Sequence, residues 1–172
     1  RDDWMISFDL EAGYHHIGVH TDSVPFLGFE IGGRFFHCTA LPFGLMTGPR
    51  VFTKVMRTLV KHLRGRGVRV LPYLDDFLFC LESEEAARRM TRDIDLLLTD
   101  LGLSRNRSKG VWVPTRALDH LGMAVDSAAL QFRPTAAREA RVRSFAVEIL
   151  RLAALRTRAV PARLVATFAG LC

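Results

Sequence analysis

The first forty residues show the short apolar runs and turn signals that are typical of β structure. Residues 5–8 form a mostly apolar run, interrupted only by Ser7, and Asp9 follows them, which predicts a buried strand. Two β-rich runs flank Ile31-Gly32-Gly33, and a Gly-Gly pair is a strong turn signal. The pattern therefore predicts a strand followed by a hairpin within residues 25–40.

Two longer segments place apolar residues at helical spacing. The first has Pro49 where the first turn of a helix accepts proline, and Gly65 and Gly67 end it. The second follows Ser83, a favourable N-cap, and is closed by Gly102. The predicted buried stripes are Val51, Phe52, Val55, Met56, Leu59, Val60 and Leu63 in the first helix, and Ala87, Met90, Ile94, Leu97, Leu98 and Leu101 in the second.

The remaining segments complete an α+β pattern. Residues 68–72 and 77–81 predict two strands, and short strands are expected over 110–132. From Pro134 the composition turns to Ala, Arg and Leu, which predicts C-terminal helices broken near Pro161. This order predicts an antiparallel sheet with helices packed on one face. We expect one domain over 1–133 and a helical segment over 134–172.

Composition restricts the class of protein. The 172 residues suffice for one domain with a sizeable core, and 49% of them are hydrophobic. No apolar run approaches the roughly 20 residues of a membrane-spanning helix, so no membrane partner is expected. The three cysteines Cys38, Cys80 and Cys172 are odd in number and widely spaced. They argue against a disulfide framework or a zinc site, and predict an intracellular, reducing environment.

The charge balance points to polyanions. Lys and Arg number 24 against 18 Asp and Glu, a net charge of +6, and arginine is strongly preferred over lysine. A basic domain attracts nucleic acid, and guanidinium groups suit phosphates. A generic soluble surface is the alternative interpretation of charge alone.

Three acidic residues lie where strands end. Asp9 follows one apolar run, and Asp75-Asp76 stand between the two strands of a pair. Carboxylates in such surroundings need a partner or a cation, and Mg²⁺ prefers oxygen ligands. Asp9 and Asp75 can supply a metal cradle, whereas alternation along a strand points Asp76 elsewhere unless a tight turn re-aims it. Taken singly, such acids are most often turn residues or solvated surface.

Five segments, in order, resemble the motifs of reverse transcriptases. Residues 7–17 (SFDLEAGYHHI) resemble the first catalytic motif, and residues 41–52 (LPFGLMTGPRVF) resemble the loop that contacts template and nucleotide. Residues 73–76 (YLDD) resemble the Tyr-x-Asp-Asp signature. The later palm motifs correspond to Gly102-Leu103-Ser104 with Lys109, and to Leu121-Gly122. The sequence of the second motif is similar to that of gypsy-like or DIRS-like retrotransposon enzymes.

The resemblance implies the palm of an RNA-directed DNA polymerase, a nucleotidyltransferase that extends a primer with deoxynucleotides on an RNA or DNA template. It implies that Asp9, Asp75 and Asp76 hold two Mg²⁺ ions, for which Mn²⁺ may substitute. The nucleotide pocket would be formed by Leu10, Tyr14, Phe43 and Gly44, with Tyr14 as the steric gate against a 2′-hydroxyl.

Two further roles are implied by the same motifs. Lys109 would be a general acid for the pyrophosphate leaving group. Leu121 and Gly122 would belong to the hairpin that grips the primer strand. The partners would be template-primer, deoxynucleotides and the other domains of a longer polyprotein.

Part of the family pattern is missing from this chain. Only about eight residues precede Asp9, where the family has its fingers region, and no ribonuclease H acidic set is recognisable after Arg133. We therefore expect the isolated chain to have little polymerase activity. Three alternatives remain: another templated palm polymerase, a non-catalytic retroelement remnant that only binds nucleic acid, and an α+β domain with coincidental motifs.

Overall fold

The computed structural model of the chain describes residues 2–155 and 159–171. Cys172 and residues 156–158 of the C-terminal segment lie outside the described residues. The described part contains nine strands and four α-helices: β1 Trp4–Asp9, β2 Gly28–Ile31, β3 Arg34–His37, α1 Gly48–Gly65, β4 Arg69–Tyr73, β5 Asp76–Leu81, α2 Glu84–Asp100, β6 Val111–Thr115, β7 Ala117–His120, β8 Met123–Asp126, β9 Gln131–Pro134, α3 Ala136–Ala154 and α4 Ala162–Leu171.

The main sheet is antiparallel and has the strand order β4-β5-β1-β6. Strand β1 lies in its interior and pairs with β5 from Trp4 opposite Leu81 to Asp9 opposite Asp76. The predicted strand pair over 68–81 is confirmed as β4 and β5. This register brings Asp9, the last residue of β1, opposite Asp76, the first residue of β5.

Helices α1 and α2 pack on the same face of the main sheet. Ile6 and Phe8 alternate along β1, and their partners Phe79 and Phe77 lie beside them on β5. These residues form one buried cluster with apolar residues of both helices. The members from the helices are Phe52, Met56, Leu59, Val60 and Leu63 of α1, and Ala87, Ile94 and Leu98 of α2. The predicted fold class, helices on one face of an antiparallel sheet, is confirmed.

The helices begin where their sequences predict. Pro49 lies in the first turn of α1. The Ser83 hydroxyl caps α2 by accepting a hydrogen bond from the Ala86 N–H at 3.1 Å. Two residues of the predicted α1 stripe, Val51 and Val55, are instead exposed at its edge. The core-facing side of α1 is therefore narrower than the apolar periodicity indicates.

Strands β2 and β3 form the predicted hairpin, with Gly32 and Gly33 at positive φ in its turn. The hairpin forms a two-stranded sheet of its own, and all eight of its strand residues are exposed. Phe29 and Phe36 stack on one of its faces, with ring centroids 5.6 Å apart.

The chain divides into two compact units. One is Asp3–Thr115, and the other is Arg116–Cys172 with the first two residues. The second contains the sheet β7-β8-β9 and the helices α3 and α4. This division lies before the boundary expected after Arg133, because β7 to β9 pair only with one another. The expected domains stay a prediction.

Helix α3 ends at Ala154 and α4 begins at Ala162, so the predicted break near Pro161 is confirmed. None of the helices in the described residues has the length and apolar character needed to span a bilayer. Cys38 and Cys80 are free thiols.

Candidate active site

Asp9, Asp75 and Asp76 converge at one end of the main sheet. Each offers a carboxylate oxygen, and these three oxygens lie within 4.8 Å of one another. Asp9 is buried, whereas Asp75 and Asp76 are partly buried. The cause is the sheet register, because Asp9 ends β1 directly opposite Asp76 at the start of β5.

The turn between β4 and β5 brings in the third carboxylate. Tyr73 pairs with Asp76, so Leu74 and Asp75 form a two-residue loop. Leu74 has a φ of 54°, and the Leu10 N–H donates to the Asp75 carbonyl at 3.0 Å. Strand alternation does not separate Asp76 from Asp75, because Asp75 lies in the turn and not on a strand. The tight turn does re-aim the pair.

Lys109 brings a cation to this cluster. Its Nζ lies 3.4 Å from Oδ2 of Asp9, and its side chain is 62% exposed. The segment that carries it runs beside the end of β1. The Asn106 N–H donates to the Asp9 carbonyl, and the Glu11 N–H donates to the Ser104 carbonyl, both at 2.8 Å.

Gly110 allows this segment to cross β1 closely, and the motif comparison did not single it out. Its φ is +80°, and a Cβ there would lie 2.5 Å from the Ser7 carbonyl oxygen. The Val111 N–H also donates to the Ser7 hydroxyl at 3.1 Å. The available sequence signal was a glycine directly before the apolar run of β6. The sequence alone does not show the contact, because it joins residues about a hundred positions apart.

Three carboxylates at this spacing fit a divalent cation. Hard cations such as Mg²⁺ take oxygen ligands, often from one or two carboxylates. Like charges directly opposite each other in a sheet destabilise it, and Lys109 neutralises one of the three. The donor set therefore suits Mg²⁺ or Mn²⁺.

Two groups with raised pKa values, Cys80 on β5 and Arg69 opposite it on β4, lie at the end of this strand pair away from the acidic turn. Burial raises the pKa of the Cys80 thiol. The hydrogen-bonded carboxylate of Asp3 raises the pKa of Arg69 above its ordinary value, with a contact of 2.8 Å between Nη2 and Oδ1. Both groups belong to strand packing and not to the carboxylate cluster.

Tyr14 lies on a short 3₁₀ helix, Gly13–His16, which begins four residues after Asp9. Its ring stacks on Phe43 with centroids 5.1 Å apart and packs on Phe52 at 5.0 Å. Gly13 is buried, and a Cβ there would lie 3.1 Å from the Phe52 ring and 3.5 Å from the Asp75 Cβ. The absence of a side chain at Gly13 thus lets this helix lie against the acidic turn.

The other residues predicted to contact the nucleotide differ in their exposure. Phe43 is 62% exposed, and Gly44 has a φ of +85° with open space around it. The side chain of Leu10, by contrast, lies in the core and is 1% exposed. Its N–H donates to the Asp75 carbonyl, and the role of Leu10 in nucleotide binding stays a prediction.

Leu121 and Gly122 form the turn between β7 and β8, with φ values of 51° and 76°. They belong to the second compact unit, whereas the carboxylates belong to the first. Their role in gripping a primer stays a prediction.

Comparison with known proteins gives one family. The model of the reverse transcriptase (RNA-dependent DNA polymerase) family matches residues 1–125. A genome polyprotein of Petunia vein clearing virus is 30% identical over 116 residues, 67% of this chain and 5% of the polyprotein. The Pol polyprotein of the transposon opus of Drosophila melanogaster is 23% identical over 131 residues, 76% of this chain and 13% of that protein.

Solved structures show the same fold. The foamy viral protease-reverse transcriptase in complex with an RNA/DNA hybrid aligns with a TM-score of 0.76 at 18% identity, covering 98% of this chain and 20% of that one. Its complex with double-stranded DNA gives 0.76 over 99% of this chain and 32% of that one. These comparisons do not separate gypsy-like from DIRS-like elements, and that subtype stays a prediction. Because the family model matches most of the length of this chain, the chain belongs to the reverse transcriptase family.

Proposed function

We propose that this chain carries the polymerase centre of an RNA-directed DNA polymerase. It would transfer deoxynucleotides to a primer 3′-hydroxyl on an RNA or DNA template. The observation that supports this proposal best is the convergence of Asp9, Asp75 and Asp76 within 4.8 Å, at the positions that resemble the family's acidic motifs.

Asp9, Asp75 and Asp76 would hold the divalent cations. When bound, a pair of such ions lowers the pKa of an attacking hydroxyl and neutralises charge on the phosphates. The protein's own contribution is orientation. The β1–β5 register fixes Asp9 and Asp76, and the Leu10 N–H fixes the backbone of Asp75.

Tyr14 and Phe43 would form the surface under the incoming nucleotide. Their stacked rings lie beside the acidic turn through Gly13. As the family resemblance implies, the Tyr14 ring would clash there with a 2′-hydroxyl. Gly44 leaves room for backbone to approach the substrate. Lys109, already within ion-pair distance of Asp9, would donate a proton to the departing pyrophosphate.

The partners follow from the same proposal. We infer template-primer as the nucleic-acid partner, because the structural neighbours were solved with an RNA/DNA hybrid and with double-stranded DNA. Leu121-Gly122 would hold the primer strand. The chain spans 5% to 13% of the polyproteins it matches, so other domains of a longer polypeptide would complete the enzyme. A binding-only remnant is not favoured, because all three acids and their geometry are intact.

Substitution of the acids tests the proposal. In the complete polymerase, Asp9→Asn or Asp75→Asn should lower the rate of primer extension by about 10³-fold or more, because each removes a charge that holds the cations. Circular dichroism should show an unchanged fold. Asp93→Asn on α2, outside the cluster, serves as the matched control and should retain activity. Near-normal synthesis by either cluster variant would refute the proposed centre.

A further inference from the structure

The basic character of the chain is concentrated in one segment. Residues 31–74 contain eight of the 24 Lys and Arg residues and none of the 18 Asp and Glu residues. The segment therefore carries a charge of +8, and the other 128 residues together carry −2. An even distribution would have placed several acids among these 44 positions.

Five of these cations form a stripe along α1. Arg50, Lys54, Arg57, Lys61 and Arg64 are all exposed. At 100° per residue they fall within an arc of about 80° and span roughly 21 Å of the helix axis. The buried side of α1, at Phe52, Met56, Leu59 and Leu63, lies about 150° away around the helix. The basic stripe therefore faces away from the core.

The stripe has little compensating charge. No Asp or Glu lies within α1, and among the described residues no carboxylate pairs with Arg50, Lys54, Arg57 or Lys61. Arg64 donates to the Val70 carbonyl at 2.9 Å. Helix α2 is different, because Glu84 and Glu85 pair there with Arg88 and Arg89. Like charges three and four residues apart destabilise a helix, and a bound polyanion relieves that repulsion.

We propose that the exposed face of α1 binds the phosphodiester backbone of a single-stranded nucleic acid, outside the carboxylate cluster. A strand within a duplex carries one charge per about 3.4 Å of axis, so roughly 21 Å of stripe faces several phosphates. A flexible single strand can follow this straight line, whereas a duplex backbone winds away from it. The stripe contains no aromatic residue for base stacking, so binding is independent of base sequence.

The position of the stripe connects it to the candidate site. Gly48, two residues before Arg50, lies against Tyr14, since a Cβ there would be 3.4 Å from the Tyr14 ring. A strand that passes the Tyr14–Phe43 surface can therefore continue onto α1. This inference goes beyond the proposed function, because it needs neither a cation nor catalysis.

Charge removal on α1 tests the proposal against a matched control. The variant Lys54→Gln/Arg57→Gln/Lys61→Gln removes three stripe charges, and glutamine keeps the helix propensity. The control Arg88→Gln/Arg89→Gln/Arg92→Gln removes three charges from α2, among its acids. Binding of a mixed-sequence, 20-nucleotide single-stranded RNA to the 172-residue chain is measured by fluorescence anisotropy in EDTA over a salt series.

We expect the α1 variant to bind RNA at least about 10-fold more weakly near 0.1 M salt, with a salt slope lowered by about 2. The α2 control should change affinity by less than about twofold. Because the assay contains EDTA, the result does not depend on the proposed metal centre, so failure of either proposal leaves the other intact.

Equal losses in the two triple variants would overturn the proposal in favour of nonspecific attraction by net charge. Unchanged RNA binding in both triple variants would also overturn it. So would an α1 variant that loses binding to phosphatidylserine vesicles in a parallel measurement and keeps its RNA binding. If the α1 variant fails to fold, acetylation of the unchanged chain replaces it. RNA should then protect Lys54 and Lys61, and unprotected lysines would contradict the proposal.

Discussion

At the scale of single residues, the acidic site depends on an unfavourable backbone conformation. Leu74 has a φ of 54°, a region that a bulky side chain rarely adopts and that costs on the order of 1–3 kcal/mol. The like charges of Asp9 and Asp76 face each other in the adjacent register pair. Strain and charge repulsion at the same turn are typical of a site retained for function, and the packed β1–β5 core offsets their cost.

The Tyr14 ring gives a prediction about substrate choice. In the complete polymerase, Tyr14→Ala should raise the use of ribonucleotides relative to deoxynucleotides by about 10-fold or more, because it removes the ring proposed to exclude a 2′-hydroxyl. Tyr14→Phe keeps the ring and should preserve discrimination. Competitive primer extension with the two nucleotide types measures the ratio. An unchanged ratio in Tyr14→Ala would exclude Tyr14 as the gate.

Gly110 gives a prediction about stability. Gly110→Ala should lower the free energy of unfolding by about 2–4 kcal/mol, since the new Cβ meets the Ser7 carbonyl and the positive φ is strained. Gly102→Ala is the matched control, because Gly102 has a φ of +69° but open space around it. It should cost only about 1 kcal/mol. Urea unfolding measures both, and equal costs would contradict the close crossing at Ser7.

At the scale of elements, periodicity predicted much of the first unit. Strands β1 and β5 and helices α1 and α2 were identified from the apolar run before Asp9, the helical recurrence of Phe52 to Leu63, and the Ser83 cap. These signals are local, because each depends on which face of one element is buried. Together with the order of the elements, these signals also predicted that the helices pack on one face of the sheet.

The rest depended on contacts that no local pattern encodes. Sequence alternation could not decide how the turn aims Asp75 and Asp76, because that depends on the pairing of Tyr73 with Asp76 and on the φ of Leu74. Nor could it show that Gly110 crosses β1, or that β7 to β9 pair apart from the main sheet. The convergence of three acids was anticipated from motif resemblance, and the register explains it.

At the scale of the first unit as a whole, opposite charges occupy opposite sides of the main sheet. The helices cover the face of Ile6 and Phe8, and alternation along β1 puts Asp9 on the other face. The outer side of α1 carries the basic stripe. This separation lets the proposed cation site and the proposed polyanion surface coexist.

The most direct test of the account is Mn²⁺ binding by the 172-residue chain, followed by electron paramagnetic resonance. We predict saturable binding to the unchanged chain and to Asp93→Asn. In Asp9→Asn and Asp75→Asn the dissociation constant should rise at least about 10-fold, because each replaces a charged carboxylate of the cluster by a neutral amide. Equal Mn²⁺ affinity in all four proteins would contradict the central claim that these carboxylates form one cation site.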